Sequence, residues 1–203
     1  MIIDDKTINF KVSRNGKFQM TGCKNDEQAE TCIKFCWEYM KDGQGSVWTY
    51  SRGDKFSVSF IPAMRNIDFD VGFLIDREKL SKYINIMTAY YSMLEASFGY
   101  TGCNIKWPFS QKLEDIFVKT LQYDTESFEW IEGSESYVKH LDFIPEKEKQ
   151  KKLSKPRFVT FLCFHSGRAI QSAMTPESGL LAYNQFIEII RICYDEVREK
   201  IVV

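Results

Sequence analysis

Proline and glycine are scarce, five and eleven residues in a chain of 203, and no Gly-X-Y period or Ser/Pro-rich tract occurs. Collagen-like, low-complexity and disordered architectures are thereby excluded. Long apolar runs are missing as well: the longest, such as Phe161 to Phe164, hold a handful of residues, against the roughly 20 that a bilayer-crossing helix needs. The opening Met1-Ile-Ile-Asp-Asp-Lys6 has neither the basic segment nor the apolar run of a secretory signal, so the chain is expected inside the cell, away from membranes. There is no excess of either charge. With 27 basic and 28 acidic side chains and a formal net charge of −1, the broad basic footprint usual in nucleic-acid binders is absent, and the placement of charges matters more than their sum.

Metal and catalytic signatures are thin. The six cysteines lie in or beside apolar stretches with no Cys-x-x-Cys pair, which suits reduced core thiols. Cys32 and Cys36 stand one helical turn apart, but with His140 and His165 as the two histidines there is no ligand set for zinc. Asp68 and Asp70 share one strand face, weak grounds for a divalent cation. No Walker loop, His-Glu-x-x-His or recognisable nucleophile and base is present. The sequence predicts a non-enzymatic protein with no metal or cofactor.

What is there is 44% hydrophobic and 15% aromatic, enough for one compact domain or two small ones with real cores. It also contains a repeat. Residues 8–40 align with 159–197: Phe10 with Phe161, Gly16 with Gly167, Lys17 with Arg168 and Thr21 with Ser172, each pair 151 positions apart. In the first copy Phe10 and Val12 alternate with Asn9, Lys11 and Ser13, giving a two-faced strand. Arg14-Asn15-Gly16 supplies a tight turn and Lys17 to Gly22 a returning strand. Asn25 then caps a helix with Gln28 at the capping-box position, and Ala29, Cys32, Ile33, Cys36 and Met40 form its apolar stripe. In the second copy Thr175 caps, Pro176 takes the first helical position, and the stripe runs from Leu181 to Val197. Two amphipathic helices are thus expected on one face of a sheet whose opposite face stays free. Gln171 is out of place, falling on the helix side where an apolar residue belongs.

Between the copies, Phe56 to Ile75 reads as one or two strands with Ile67, Phe69, Val71 and Phe73 alternating, Asp76 opens a helix, and Tyr100 to Trp107 is a strand. Residues 108–154 read as an insertion, acidic and then basic, with a short helix at Gln111 to Leu121 and a strand near Tyr137 to Phe143. Its Lys147 to Lys155 run alternates with Glu146 and Glu148, as a solvated loop does.

The motif Phe164-His165-Ser166-Gly167-Arg168 followed by Ser172 and a capped helix, with its partner from Gly16 to Lys24, resembles the paired repeat of the TATA-box-binding protein family. Phe69-Asp70-Val71-Gly72-Phe73-Leu74-Ile75-Asp76-Arg77-Glu78-Lys79-Leu80 resembles, without gaps, that family's strand leading into the first helix of its second repeat, and Tyr100 to Trp107 resembles the strand that follows. The resemblance covers residues 7–40, 58–107 and 155–200. The opening strand, helix and second strand of a first repeat have no counterpart. The insertion resembles the TATA-binding-like proteins of large cytoplasmic DNA viruses more than cellular ones.

The resemblance implies an α+β saddle: a curved antiparallel sheet, helices on its convex face, and two pseudo-repeats, here 1–57 (C-terminal part only) and 58–203. This family is the standing example of minor-groove insertion and kinking. It implies a transcription initiation factor that binds A·T-rich promoter double-stranded DNA through the concave face. General transcription factors or RNA polymerase subunits would bind the helices. The site would be the host cytoplasm if the protein is viral and the nucleus otherwise. By the same resemblance Phe164 and Tyr100 match the wedge positions of the second repeat, with Thr160, Leu162, Ile170 and Ser172 lining the groove floor. Lys106 and Arg168 match phosphate-binding cations, and Asn66 and Asn104 are donors to groove acceptors. The first repeat offers a polar set instead, Lys11, Ser13, Lys17, Gln19 and Thr21, and serine does not intercalate. Two other readings stay open: a protein-interaction scaffold that has lost DNA binding, and an accessory domain of a nucleic-acid enzyme.

Overall fold

The structure, a computed structural model, describes residues 1–43, 56–95 and 101–200. It is an α+β protein of antiparallel sheets and helices in two compact units, Met1–Phe56 with Asp124–Glu126, and Ser57–Tyr123 with Ser127–Val203.

In the first unit β1 (Ile2–Ile3) pairs with β2 (Lys6–Thr7), β3 (Asn9–Val12) pairs with β4 (Phe18–Thr21), and α1 spans Asp26–Met40. Asn25 caps as expected, its Oδ1 accepting the Gln28 amide at 3.0 Å, whereas Gln28 Oε1 reaches past the capping-box partner and accepts the Lys24 amide at 2.9 Å. Ile8, Cys32 and Cys36 form a small core with Phe18, Met20 and Met40 against it. That core is incomplete. Phe10 is 37% exposed and Val12 52%, whereas Phe161 and Cys163, their counterparts in the second copy, are fully buried.

The second unit explains the difference. It holds β5 (Ser57–Ser59), β6 (Arg65–Asp70), α2 (Arg77–Met87), β7 (Tyr91–Glu95), β8 (Gly102–Pro108), β9 (Phe117–Asp124), β10 (Glu129–Ser136), α3 (Tyr137–Leu141), α4 (Glu146–Ser154), β11 (Phe158–Cys163), β12 (Arg168–Ala173) and α5 (Pro176–Val197). The β11–β12 hairpin sits inside a five-stranded sheet of order β6-β12-β11-β8-β7, flanked on both sides, while β3–β4 is a sheet of two strands. The sequence expectation of one sheet carrying both helices is therefore corrected: α1 and α5 belong with separate sheets.

Strand alternation sends Cys103, Ile105, Trp107, Val159, Phe161, Cys163, Ala169 and Ala173 to the side covered by α2 and α5. Phe161 and Phe186 stack with centroids 4.4 Å apart, and Trp107 meets Phe161 edge-on at 5.4 Å. Gln171 has its reason here. Buried on the same side, it donates from Nε2 to the Gly179 carbonyl at 2.6 Å and so ties β12 to the first turn of α5. Gly179 lets that turn come close, since a Cβ there would lie 3.2 Å from that of Ala173.

α2 opens on Asp76, whose Oδ1 accepts the Lys79 amide at 3.1 Å. That bond, ahead of the nearby Lys79 ammonium, holds the carboxyl below its ordinary value of 3.8. A depressed folded-state pKa means that the stabilisation is present above pH 3.8 and is lost as the pH falls through the lower folded value. Asp76→Ala is expected to cost about 1 kcal/mol at neutral pH, and the difference from the parent in denaturation free energy should shrink on acidification. A difference independent of pH would count against the charged cap.

Three element expectations in the insertion are corrected, the first being the Lys147 to Lys155 run, read as a solvated loop, which lies almost wholly in helix α4. Residues expected as a helix at Gln111 to Leu121 instead form a single 3₁₀ turn, Leu113–Asp115, and then enter β9; Tyr137–Leu141, expected as a strand, is helical α3. The β-rich run Phe117 to Leu121 pairs through β9 with both β5 and β10, and that pairing overrides the weak helical pattern. Similarly β6 ends at Asp70 rather than continuing to Phe73, because Gly72 takes a left-handed φ of 86° and turns the chain. Strand β7 went unread in the sequence.

Candidate nucleic-acid interface

Among the described residues of the second unit no helix packs on the other side of the five-stranded sheet, and that side is the candidate site. Register sets its rows. Asn66, Ser172, Thr160, Lys106 and Tyr91 lie abreast, and so do Asp68, Ile170, Leu162, Asn104 and Met93. At one end Asp70 opposes Arg168, and Glu95 opposes Gly102. Each of these side chains is exposed or half-buried, while Gly102 alone is buried, because Leu162 folds over it: a Cβ there would meet Leu162 Cδ1 at 2.5 Å. The insertion does not supply a lid from its own core, in which Ile116, Val118, Tyr137 and Leu141 gather with Leu113, Ile144 and Leu153.

The centre is apolar and hydroxylic, and charge lies to the sides. Leu162, Ile170 and Met93 form the middle, and Phe164 lines a shallow depression of about 400 Å³ with Asp68, Ser166, Arg168 and Ile170. Neither Arg168 nor Lys106 forms an ion pair among the described residues, and Lys106 rides over the Phe158 ring at 5.8 Å. Asp68, Asp70 and Glu95 share the face. Its charge is two cations against three carboxylates.

The turn that carries Phe164 and Arg168 is built like its counterpart. Phe164 N donates to Arg168 O at 2.9 Å and Gly167 N to Phe164 O at 3.1 Å; in the first unit Ser13 N donates to Lys17 O and Gly16 N to Ser13 O, each at 2.9 Å. Both glycines have positive φ, 74° at Gly16 and 87° at Gly167. The 151-residue offset thus relates two hairpins with the same turn.

Of the sequence-derived residues, the structure brings together Asn66, Asn104, Lys106, Thr160, Leu162, Phe164, Arg168, Ile170 and Ser172 on this one face. Tyr100 lies outside the described residues. Lys11, Ser13, Lys17, Gln19 and Thr21 belong to the first unit, where Lys11 opposes Gln19 and all five are exposed. The Ser13 hydroxyl is engaged in its own turn, with the Asn15 side chain and with Lys17 O at 3.1 Å. Asp68, Asp70 and Glu95 were missed as members of the face; the alternation of β6 gave the first two, while the unread β7 hid Glu95.

All six cysteines are unpaired, five of them buried, and burial pushes the thiols up, Cys32 and Cys193 to about 11. Among the described residues there is no cluster of three metal-ligating side chains, and no helix is long and apolar enough to cross a membrane.

The site thus belongs to an α+β protein with an open antiparallel face. Two viral proteins resemble the chain. "Uncharacterized protein 335L" of Invertebrate iridescent virus 6 is 25% identical over 83% of this chain and 51% of its own length. A "TATA-box-binding protein-like" protein of Acanthamoeba polyphaga mimivirus is 31% identical over 47% of this chain and 28% of its own length. The chain therefore spans about half, or less, of these relatives. No protein-family profile and no solved structure matches it.

Proposed function

We propose that the open face of the second unit binds double-stranded DNA in the minor groove, and that the chain acts without enzymatic chemistry as a TATA-box-binding-protein-like initiation factor. The observation that carries this reading is a sheet face that exposes or half-exposes Leu162, Ile170 and Phe164 at its centre and sets beside them two cations, Lys106 and Arg168, that form no ion pair among the described residues. Flat apolar contact with the groove floor unstacks and bends a duplex, and cations on phosphate supply affinity without sequence information. The partial likeness to a viral TATA-box-binding protein-like protein supports it. In this reading A·T-rich promoter DNA is the ligand, and α2 and α5 present their outer sides to general transcription factors or polymerase subunits. The workplace is the cytoplasmic factory of a virus, or a nucleus if the chain is cellular. A second reading, a protein-interaction scaffold, is favoured by one observation: Asp68, Asp70 and Glu95 outnumber the cations on the same face.

Salt titration separates the two. Binding of an A·T-rich duplex should weaken as salt rises, and Arg168→Ala and Lys106→Ala should each reduce the slope of log K against log salt by about 0.9. Parent-like slopes in both variants would remove these residues from the phosphate backbone and leave the scaffold reading.

A further inference from the structure

Asn104 stands in the middle of the open face, and one of its two N–H groups is already committed. Nδ2 donates to Glu95 Oε1 at 2.5 Å, and Oδ1 is buried without a hydrogen-bond partner. Asn66, on the opposite edge strand, is held the other way round: its Oδ1 accepts the Ser172 hydroxyl at 2.8 Å, which turns its NH₂ outward as a donor. The two asparagines expected to act alike thus present different chemistry.

The minor-groove edge of an A·T pair offers acceptors alone, adenine N3 and thymine O2, while a G·C pair adds the guanine 2-amino donor. A face reading A·T pairs needs donors. At Asn66 the whole NH₂ is turned outward; at Asn104 one of its two N–H groups is taken by a carboxylate, which sets another acceptor beside the remaining one and faces phosphates with like charge. The pair's neighbours do not neutralise it. Asn104 lies abreast of Met93 and Leu162, Glu95 lies opposite Gly102, and Lys106, the next same-face residue along β8, makes no ion pair with Glu95.

We infer that Glu95 is a specificity-determining residue of this face: it holds one N–H of the Asn104 amide, and so its orientation, away from A·T pairs and, as a carboxylate acceptor, favours a guanine 2-amino group at this register. The inference deepens the DNA-binding reading and rests on it. Glu95→Gln removes the charge and keeps an acceptor for Asn104, whereas Glu95→Ala removes both, so the two effects separate.

The test is fluorescence anisotropy of the full chain with short labelled duplexes, one all A·T at its centre and one with central G·C pairs, at fixed low salt. Glu95→Gln should tighten binding to both duplexes by about threefold, the effect of one fewer like charge near phosphates. Glu95→Ala should tighten the A·T duplex by about tenfold, because a freed amide donor adds the worth of one hydrogen bond. Its G·C gain should fall below the Gln level, because the acceptor for the guanine 2-amino group is lost with the charge; a G·C gain equal to that of Glu95→Gln overturns the guanine preference. Adding Asn104→Ala to Glu95→Ala should erase the extra A·T gain.

If the parent binds and Glu95→Ala binds neither duplex more tightly, the inference falls while the DNA reading stands. A gain that survives Asn104→Ala overturns the role of the amide. If the parent and every variant bind no duplex, the DNA reading itself falls and the inference with it. Unchanged melting temperatures and the side-chain NH₂ resonances of Asn104, which should shift towards solvent-exposed values in Glu95→Ala, provide the readout that a merely structural role would not move.

Discussion

Gly167→Ala is expected to unfold the β11–β12 hairpin at denaturant concentrations that leave the parent intact, a loss of about 3 kcal/mol or more. Two costs combine. The φ of +87° is one that a side chain tolerates poorly, at about 1–2 kcal/mol. In addition, a Cβ there would lie 2.3 Å from the Phe73 carbonyl oxygen and 3.2 Å from Asp70 Oδ1. Those are backbone and β6-end atoms that cannot simply swing away, because Val71 N donates to Gly167 O at 3.0 Å and Ile75 N to His165 O at 2.9 Å. The turn is wedged into the loop between β6 and α2. The same substitution at Gly16 meets nothing within 4 Å, so Gly16→Ala should lose only the conformational term, about 1 kcal/mol. Hydrogen exchange over residues 158–173 and 9–21 reads the two hairpins separately. Equal, small losses at both would show that the wedge carries no load. Because Phe164 and Arg168 flank the turn, duplex binding should fall with Gly167→Ala and hold with Gly16→Ala.

That contrast marks what the sequence carried and what it did not. Glycines 151 positions apart announced two like turns, and the hydrogen bonds of the turns are alike. Nothing local distinguished them, since what crowds Gly167 comes from residues nearly a hundred positions earlier. Helix caps were legible because they are short-range: Asn25 and Thr175, read as caps, and Asp76, read only as a helix start, each accept an amide three residues on. The alternation of β11 and β12 put Thr160, Leu162, Ile170 and Ser172 on one face, as the register has them, since a period of two assigns sides without knowledge of neighbours, while Asn104 and Lys106 came from the resemblance. It failed where neighbours decide. Gln171 looked misplaced until α5 brought the Gly179 carbonyl to it, and Asn104 looked like a free donor until β7 brought Glu95 beside it. β7 itself, Tyr-Ser-Met-Leu-Glu, is too short and too mixed to signal a strand alone, and pairing with β8 makes it one. The insertion failed for the same reason: β9 is specified by β5 and β10 on either side of it, and β5 lies some sixty residues away.

Phe161 and Phe164 are three residues apart and should fail in opposite ways. Phe161 is fully buried, stacked on Phe186 at 4.4 Å and edge-on to Trp107 and Phe69 at 5.4 and 6.5 Å. Phe161→Ala leaves a ring-sized cavity between sheet and α5 and is expected to cost about 3–5 kcal/mol. Any loss of DNA binding should then follow the unfolded fraction and be recovered by lowering the temperature or adding a stabilising osmolyte. Phe164 is half-buried, on the rim of the depression that it shares with Arg168 and Ile170. Phe164→Ala should change stability by about 1 kcal/mol or less, as substitutions outside a core do. It should weaken duplex binding about tenfold or more, since stacking of a ring on a base is worth about 1–3 kcal/mol. Its salt slope should match the parent's, because no phosphate contact is lost. The distinction also tests bending: a duplex labelled at both ends should show reduced end-to-end energy transfer with Phe164→Ala even at saturating protein. A Phe164→Ala protein that is as unstable as Phe161→Ala, or that binds and bends as the parent does, would return Phe164 to the core and leave the open face without its wedge.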